Sequence, residues 1–156
     1  MYSCQLSTPI GNLYLSASDS GLKAVSFSNQ NFAGAANSII DLAINQLKEY
    51  LDHQRQTFEI PLDPDGTEFQ KKVWDHLSQI PFGKTLSYQD FSVNIGDIKA
   101  IRAVASANGQ NPIAIIIPCH RVIGSDGSLT GYASGLDRKE WLLQHEGAIA
   151  EQLKIF

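Results

Sequence analysis

Cys119 and His120 are neighbours in the chain, and their pairing is the sharpest chemical feature of the sequence. Thiolate is the nucleophilic form of cysteine, and a nearby imidazole lowers the thiol pKa or takes its proton. Adjacent residues of an extended strand point to opposite faces, so the two need not touch, and a water could relay the proton. The same pair also fits a buried structural cysteine beside a surface histidine. Glu146 is the second feature. It falls at the end of a predicted helix, where the macrodipole disfavours a carboxylate, so it either is solvated there or has a partner such as a histidine. Arg102 is the third. Ile98, Ile101 and Ala105 mark the core face of its helix by spacing, which turns Lys99, Arg102 and Ser106 to a neighbouring, outward face. Ala100, Ala103, Ala105 and Ala107 keep this helix slim, either to approach a surface such as a nucleic-acid groove or simply as good helix formers.

The elements that must position these residues fall into two halves. Residues 1–60 read as a small α+β unit. Leu13-Tyr14-Leu15 and Leu22–Phe27 are predicted strands with a turn at Asp19-Ser20-Gly21. A helix is expected over about 36–53, and Thr57–Ile60 is a candidate strand. Pro61–Gly66, with two prolines and a glycine, is the best boundary in the chain. Beyond it, Thr67 and Gln70 form a capping box ahead of the stripe Phe69, Val73, Trp74 and Leu77. Ser87–Asp90 opens a second helix running to about Ile95. Gly96 turns the chain, and Asp97 caps a third helix over about 98–108. Two short helices around a glycine turn form a helix-turn-helix pattern, a weak signal by itself. Ile113–Ile117 is a buried strand or core segment, and Thr130–Gly135 a glycine-rich loop. Asp137 with Glu140 is a capping pair, with Leu136 and Trp141 as a hydrophobic staple, for a helix ending at His145-Glu146-Gly147.

The length of 156 residues allows one average domain or two small ones. Apolar residues make up 43% and charged residues 18%, which excludes a disordered or coiled-coil chain. No apolar run approaches a membrane span, and the start has no secretory pattern. Cys4 and Cys119 are the two cysteines, too few for a disulfide scaffold, and His53, His76, His120 and His145 are too scattered for a zinc site. No metal is expected, and the thiols read as free in a reducing cytoplasm. The net charge of −4 argues mildly against nucleic acid. By region, however, residues 1–66 hold the whole excess, with three basic and seven acidic groups. Residues 67–147 balance at eight of each.

Taken together, the motifs carry a resemblance. Ile117-Pro118-Cys119-His120-Arg121-Val122 resembles the signature of the O6-alkylguanine-DNA alkyltransferases. In order before it stand Thr67–Gln70 with Val73-Trp74, then Ile80–Thr85, Ser87-Tyr88, Arg102-Ala103-Val104 and Asn111-Pro112. After it come Gly131-Tyr132, Glu140–Leu143 and His145-Glu146-Gly147. The ordered set covers about 67–147. The turn departs from the common Gly-x-Pro as Gly96-Asp97-Ile98, and Ser92 stands where a small apolar residue is usual.

The resemblance implies an α+β protein of two domains. A small ribonuclease-H-like α/β domain spans 1–63, and a mostly helical, winged-helix-like domain with the helix-turn-helix spans 64–156. The implied activity is single-turnover repair without a cofactor. An alkyl group passes from O6 of guanine, or O4 of thymine, to Cys119 after the nucleotide is flipped out of the duplex. His120 would act through a water as base, with Glu146 orienting it. Tyr88 would face the base, and Asn111 would bond backbone near the nucleophile. Arg102 would fill the vacated space from the minor groove, with Lys99, Ala100, Ala103, Ser106 and Arg121 on the DNA side. Val122, Tyr132 and Ala133 would complete the base pocket with Tyr88. The implied partner is double-stranded DNA holding alkylated guanine, met by a monomer and without a membrane.

Two other readings stand beside this one. A damage-binding or helix-turn-helix regulatory module would need no transfer, and a Cys–His hydrolase would need an oxyanion hole that no motif supplies. A neutral DNA-facing half neutralises few phosphates, so the logarithm of the DNA affinity should fall shallowly with the logarithm of salt. Titrations at several salt concentrations measure that slope, and a steep one contradicts the regional charge count.

Overall fold

The structure is a computed structural model that describes residues 1–29, 34–96 and 98–150. The N-terminal half is an antiparallel meander of β1 (Tyr2–Thr8), β2 (Gly11–Ala17) and β3 (Leu22–Phe27), in that spatial order. One face carries Leu6, Leu13, Leu15 and Val25 into the core. Helix α1 (Ser38–Leu51) covers that face with Ile40, Ala43, Leu47 and Tyr50, and the Asn37 side chain caps it by accepting from Ile40 N. Thr57–Ile60 is not a strand. Its backbone is instead held by the buried Gln46 amide, which takes the Glu59 N–H and donates to the Glu59 carbonyl.

Past the Pro61–Gly66 connector come α2 (Glu68–Leu77), β4 (Leu86–Ser87), α3 (Tyr88–Ile95), α4 (Ile101–Gly109), β5 (Val122–Ile123) and α5 (Leu136–His145). The Thr67–Gln70 capping box forms as expected, and Ser87 caps α3 through Asp90 N. Gly96 closes α3 in the left-handed region at φ 105°, which only glycine adopts without strain. Asp97 lies outside the described residues. A 3₁₀ turn over Ile98–Ala100 then leads into α4, so the third helix starts later than its apolar spacing suggested. Parallel pairing of β4 with β5 ties the start of α3 to the segment after Cys119.

Two expectations for these helices fail. The buried face of α4 is Val104, Ala107 and Asn108, while Ile98 is exposed and Ile101 and Ala105 are only partly covered. In a helix this rich in alanine the apolar period carries little contrast. What orients α4 is α2, whose buried Trp74 indole N–H donates to the Ala107 carbonyl at 2.9 Å. At α5 the cap is Gly135, without a side-chain hydrogen bond. Asp137 therefore sits inside the first turn, and Leu136 is the first helical residue, half exposed, rather than the residue before the cap that a hydrophobic staple requires.

The Ile113–Ile117 run is buried, as expected, but it is not a strand. Ile116 N bonds the Ala114 carbonyl and Cys119 N the Ile117 carbonyl, two three-residue turns in close succession. The first puts Ile115 at φ 71°, an unfavourable place for a β-branched residue. Val25 of β3 grips this segment from the side, donating to Pro112 O and accepting from Ala114 N. Among the described residues no helix is long and apolar enough to cross a membrane. Trp74→Phe removes the indole donor from the Ala107 carbonyl, which keeps the Gln110 N–H, and should lower stability by about 1 kcal/mol in a urea denaturation curve.

Candidate active site

Pro118 and the turns before it deliver Cys119-His120-Arg121 as a 3₁₀ turn rather than a strand, with all three residues buried. Adjacent residues on such a turn are not forced to opposite faces. His120 points inward: its Nε2 is 2.8 Å from Glu146 Oε2, and neither side chain has exposed surface. Nδ1 of the same ring is buried and has no hydrogen-bond partner. Burial pushes the imidazole pKa down against the pull of Glu146, which leaves it neutral and able to take a proton.

Glu146 is the cap residue that follows α5, and it resolves the question that its helix position raised. Besides His120 it holds Arg121, whose Nε is 2.8 Å from Oε1 and whose Nη2 is 3.0 Å from Oε2, a two-point contact. Tyr50 of α1 donates its hydroxyl to Oε2 at 2.6 Å. Burial alone would raise the Glu146 pKa. The hydrogen bonds from His120 and Arg121 outweigh it and hold the carboxyl at about 2. Arg121 therefore does not lie on a DNA-facing surface as expected from sequence. It is spent inside, with its Nη1 on the Ile80 carbonyl at 2.6 Å. An interior carboxylate demands a cation, and that demand outweighs any surface role.

An open groove of about 600 Å³ is lined by Tyr88, Ile101, Arg102, Ala105, Gly109, Thr130, Gly131, Tyr132 and Ala133, and two of its walls, Tyr88 and Tyr132, lie close enough to Cys119 to feel it electrostatically. Burial pushes the Cys119 thiol pKa up, while the Asn111 side chain and the charge of Lys139 pull it back. Asn111 also bonds backbone, donating to Ile117 O at 2.8 Å and accepting from Ile113 N at 3.0 Å. Tyr88, half-buried at the start of α3, has its hydroxyl 3.3 Å from the Gly131 carbonyl. Tyr132 lines the groove with its hydroxyl buried and unpartnered, and burial, with a smaller contribution from the nearby Cys119, raises its pKa. Gly131 is at φ 64°, and a Cβ there would come 3.2 Å from the Tyr88 hydroxyl. Arg102, Ala103, Ser106 and Lys99 are exposed and Ala100 partly so, along one rim of this groove or beside it. Ala133 is exposed on the facing loop, and Val122 is buried below.

Three participants escaped the sequence reading. Tyr50 falls within the helix expected over about 36–53, and nothing local marks a partner 96 positions away. Lys139 is fully buried, and its ammonium bonds Val122 O at 2.6 Å and Thr130 O at 2.8 Å. It thereby ties the groove loop to the segment that follows the nucleophile, and burial lowers its pKa to about 8. Asn108 is simply the last residue of the third helix expected over 98–108, yet its Nδ2 donates to the Tyr88 hydroxyl at 3.3 Å. Among the described residues no cluster of three or more His, Cys, Asp or Glu could hold a metal ion.

A buried thiol, an imidazole braced by a carboxylate and a groove rimmed by a helix-turn-helix define a cysteine-nucleophile protein built to meet DNA. Two family profiles match: the 6-O-methylguanine DNA methyltransferase ribonuclease-like domain over residues 1–64 and its DNA binding domain over residues 68–148. The chain belongs to the 6-O-methylguanine DNA methyltransferase family. It is 45% identical to a methylated-DNA–protein-cysteine methyltransferase of Methanosarcina acetivorans, over 95% of this chain and 99% of that one. The relative of that name from Mycolicibacterium paratuberculosis is 43% identical, over 89% and 88%. Among solved structures, the Mycobacterium tuberculosis O6-methylguanine methyltransferase superposes with a TM-score of 0.85 at 40% identity, over 96% of this chain and 94% of that one. The M. tuberculosis protein in complex with DNA superposes with a TM-score of 0.87 at 40% identity, over 95% and 94%.

Glu146 has a depressed pKa, so its contribution to stability is complete above the ordinary value near 4.5 and is lost as pH falls toward about 2. Glu146→Ala leaves Arg121 charged and buried without a partner, at a cost of about 3–5 kcal/mol. Urea unfolding should show a large deficit at pH 7 that narrows across that acid window. A constant deficit from pH 7 to pH 2 contradicts the assignment.

Proposed function

We propose that this chain repairs alkylated DNA by moving the alkyl group from O6 of guanine to Cys119, once per molecule. The observation that carries the reading is the buried His120, next in the chain to Cys119, with one nitrogen on the ionised Glu146 and the other unpartnered, in a molecule whose Cys119 also acts on two walls of a groove rimmed by Arg102. The target oxygen lies within the base stack, so the nucleotide is flipped into the groove. Arg102 enters the duplex from the minor-groove side and fills the gap, and the small Ala100, Ala103 and Ser106, with Lys99, let the helix approach closely.

The Cys119 thiol is neutral at rest because burial disfavours its charge. Its proton passes through a water to His120 Nδ1, and Glu146 stabilises the imidazolium that forms. Sγ then attacks the alkyl carbon in line with the departing oxygen. The S–C bond forms as the C–O6 bond breaks, and the electron pair leaves with the base. Tyr88 donates its hydroxyl proton to a ring nitrogen to balance that charge and recovers a proton from solvent, as His120 releases one. The products are unmodified guanine and a thioether at Cys119, which no group in the site can reverse. The backbone carbonyls of Cys119 and Val122 face the base amino group, and Tyr132 and the Ala133 N–H cover it. Lys139 keeps that loop seated on Val122.

The division into domains at 63 and 64 is part of the same proposal, supported by the Pro61–Gly66 connector and the two matched segments. A nucleophile that must stay a free thiol suits a cytoplasmic, reducing compartment. Incubation with a duplex oligonucleotide containing O6-methylguanine should leave the protein one methyl group heavier, at Cys119 by peptide mass mapping. An unmodified Cys119 after excess substrate overturns the proposal. Arg102→Ala should slow repair of the duplex far more than reaction with the free methylated base, and equal losses remove its role in flipping.

A further inference from the structure

We propose that Asn108 is a positioning residue for Tyr88, holding the phenol so that its proton is turned to the groove in which the base is received. The inference rests on the reading above, in which Tyr88 serves the departing base.

A phenol has one proton and two lone pairs. Asn108 Nδ2 donates to the Tyr88 oxygen at 3.3 Å, so the hydroxyl must send its own proton elsewhere. The acceptors in reach are the Gly131 carbonyl at 3.3 Å and the Thr130 carbonyl at 3.5 Å, both in the loop that walls the groove. A base entering the groove meets the proton on that side. A donor on the phenol oxygen also favours its ionised form, which makes Tyr88 the stronger acid. Burial and the nearby Cys119 raise the Tyr88 pKa, and Asn108 pulls it back. The other charged or titratable groups facing Tyr88 are Lys139, whose ammonium is 5.9 Å from the ring centre, and Arg102 and Tyr132 on the groove wall. None of these is altered by a change at Asn108.

A second observation separates this role from packing. Asn108 is 1% exposed, and its Oδ1 is buried with no hydrogen-bond partner. An apolar side chain of similar size would avoid that unsatisfied oxygen, so stability does not account for an asparagine here. The residue is kept at a cost, as groups serving a reaction often are. Asn108 and Arg102 also share α4. The helix that seats on the duplex is therefore the helix that orients the phenol.

The test compares wild type, Asn108→Leu and Asn108→Ala, the smaller variant serving if leucine does not fit. Tyr88 is followed by ¹³C NMR of tyrosine Cζ against pH, its signal assigned with Tyr88→Phe. Single-turnover methyl transfer is timed on a methylated duplex. Loss of the amide donor should raise the phenol pKa and slow transfer by about fivefold to tenfold, the size of one neutral hydrogen bond, without lowering Tm. In a Tyr88→Phe background, Asn108→Leu should cause no further loss. A phenol pKa that is unchanged or falls overturns the proposal, the latter because it means the amide accepts from Tyr88. So does a rate loss that persists without the phenol. If wild type transfers no methyl group, the repair reading fails by itself, and the phenol titration still decides whether Asn108 holds Tyr88.

Discussion

A carboxylate with no exposed surface has to be surrounded by donors, and much of the site is arranged to meet that requirement for Glu146. Three elements converge on it: Tyr50 from α1, and His120 and Arg121 from the nucleophile turn, with Glu146 itself at the end of α5. The helix end is an unfavourable place for a negative charge, so the partners both offset the local dipole and stand in for solvent. With both oxygens occupied, the His120 ring has one orientation available, Nε2 on the carboxylate and Nδ1 free. Orientation of the imidazole is thus a by-product of solving a solvation problem.

The nucleophile is held by a different means. Cys119 follows two tight turns, one of which keeps Ile115 in a backbone region that β-branched residues avoid, at a typical cost of about 1–3 kcal/mol. Such a conformation survives where its surroundings over-determine it. Here Val25 binds the segment from one side, and Asn111 bonds its backbone from within. The groove is held by side chains rather than by strained backbone. Its loop is anchored by Lys139 to Val122 and touches Tyr88 through the Gly131 carbonyl.

Local order was well marked in the sequence, and long-range pairing was not. The Thr67–Gln70 box, the Gly96 turn and the alternating apolar residues of β2 all read correctly, because each is decided by neighbours within a few positions. The Cys119–His120 pair and the misplaced charge of Glu146 were legible as chemistry. Tyr50 and Lys139 were not, since a tyrosine or lysine among helix residues carries no local sign of what it will meet. Arg121 was misread for the same reason: an arginine beside a DNA motif looks like a phosphate contact until its buried partner is known. The face of α4 was misjudged because alanines give almost no apolar contrast, and Trp74 decides it from another helix.

The hydrogen bond between Tyr50 and Glu146 spans 96 positions, and the grip of Val25 on Pro112 and Ala114 joins the two halves across almost as much chain. Contacts of this separation form late, because a large loop must close before they repay its entropy. Glu146 also follows every other member of the site in chain order. During synthesis the thiol is therefore made well before the carboxylate that braces the neighbouring imidazole. Until that residue emerges and folds back, Arg121 and His120 have no counter-charge, although Val25 and Asn111 can already hold the backbone of the turn. Under the proposed mechanism, activation of the thiol is thereby coupled to completion of the fold.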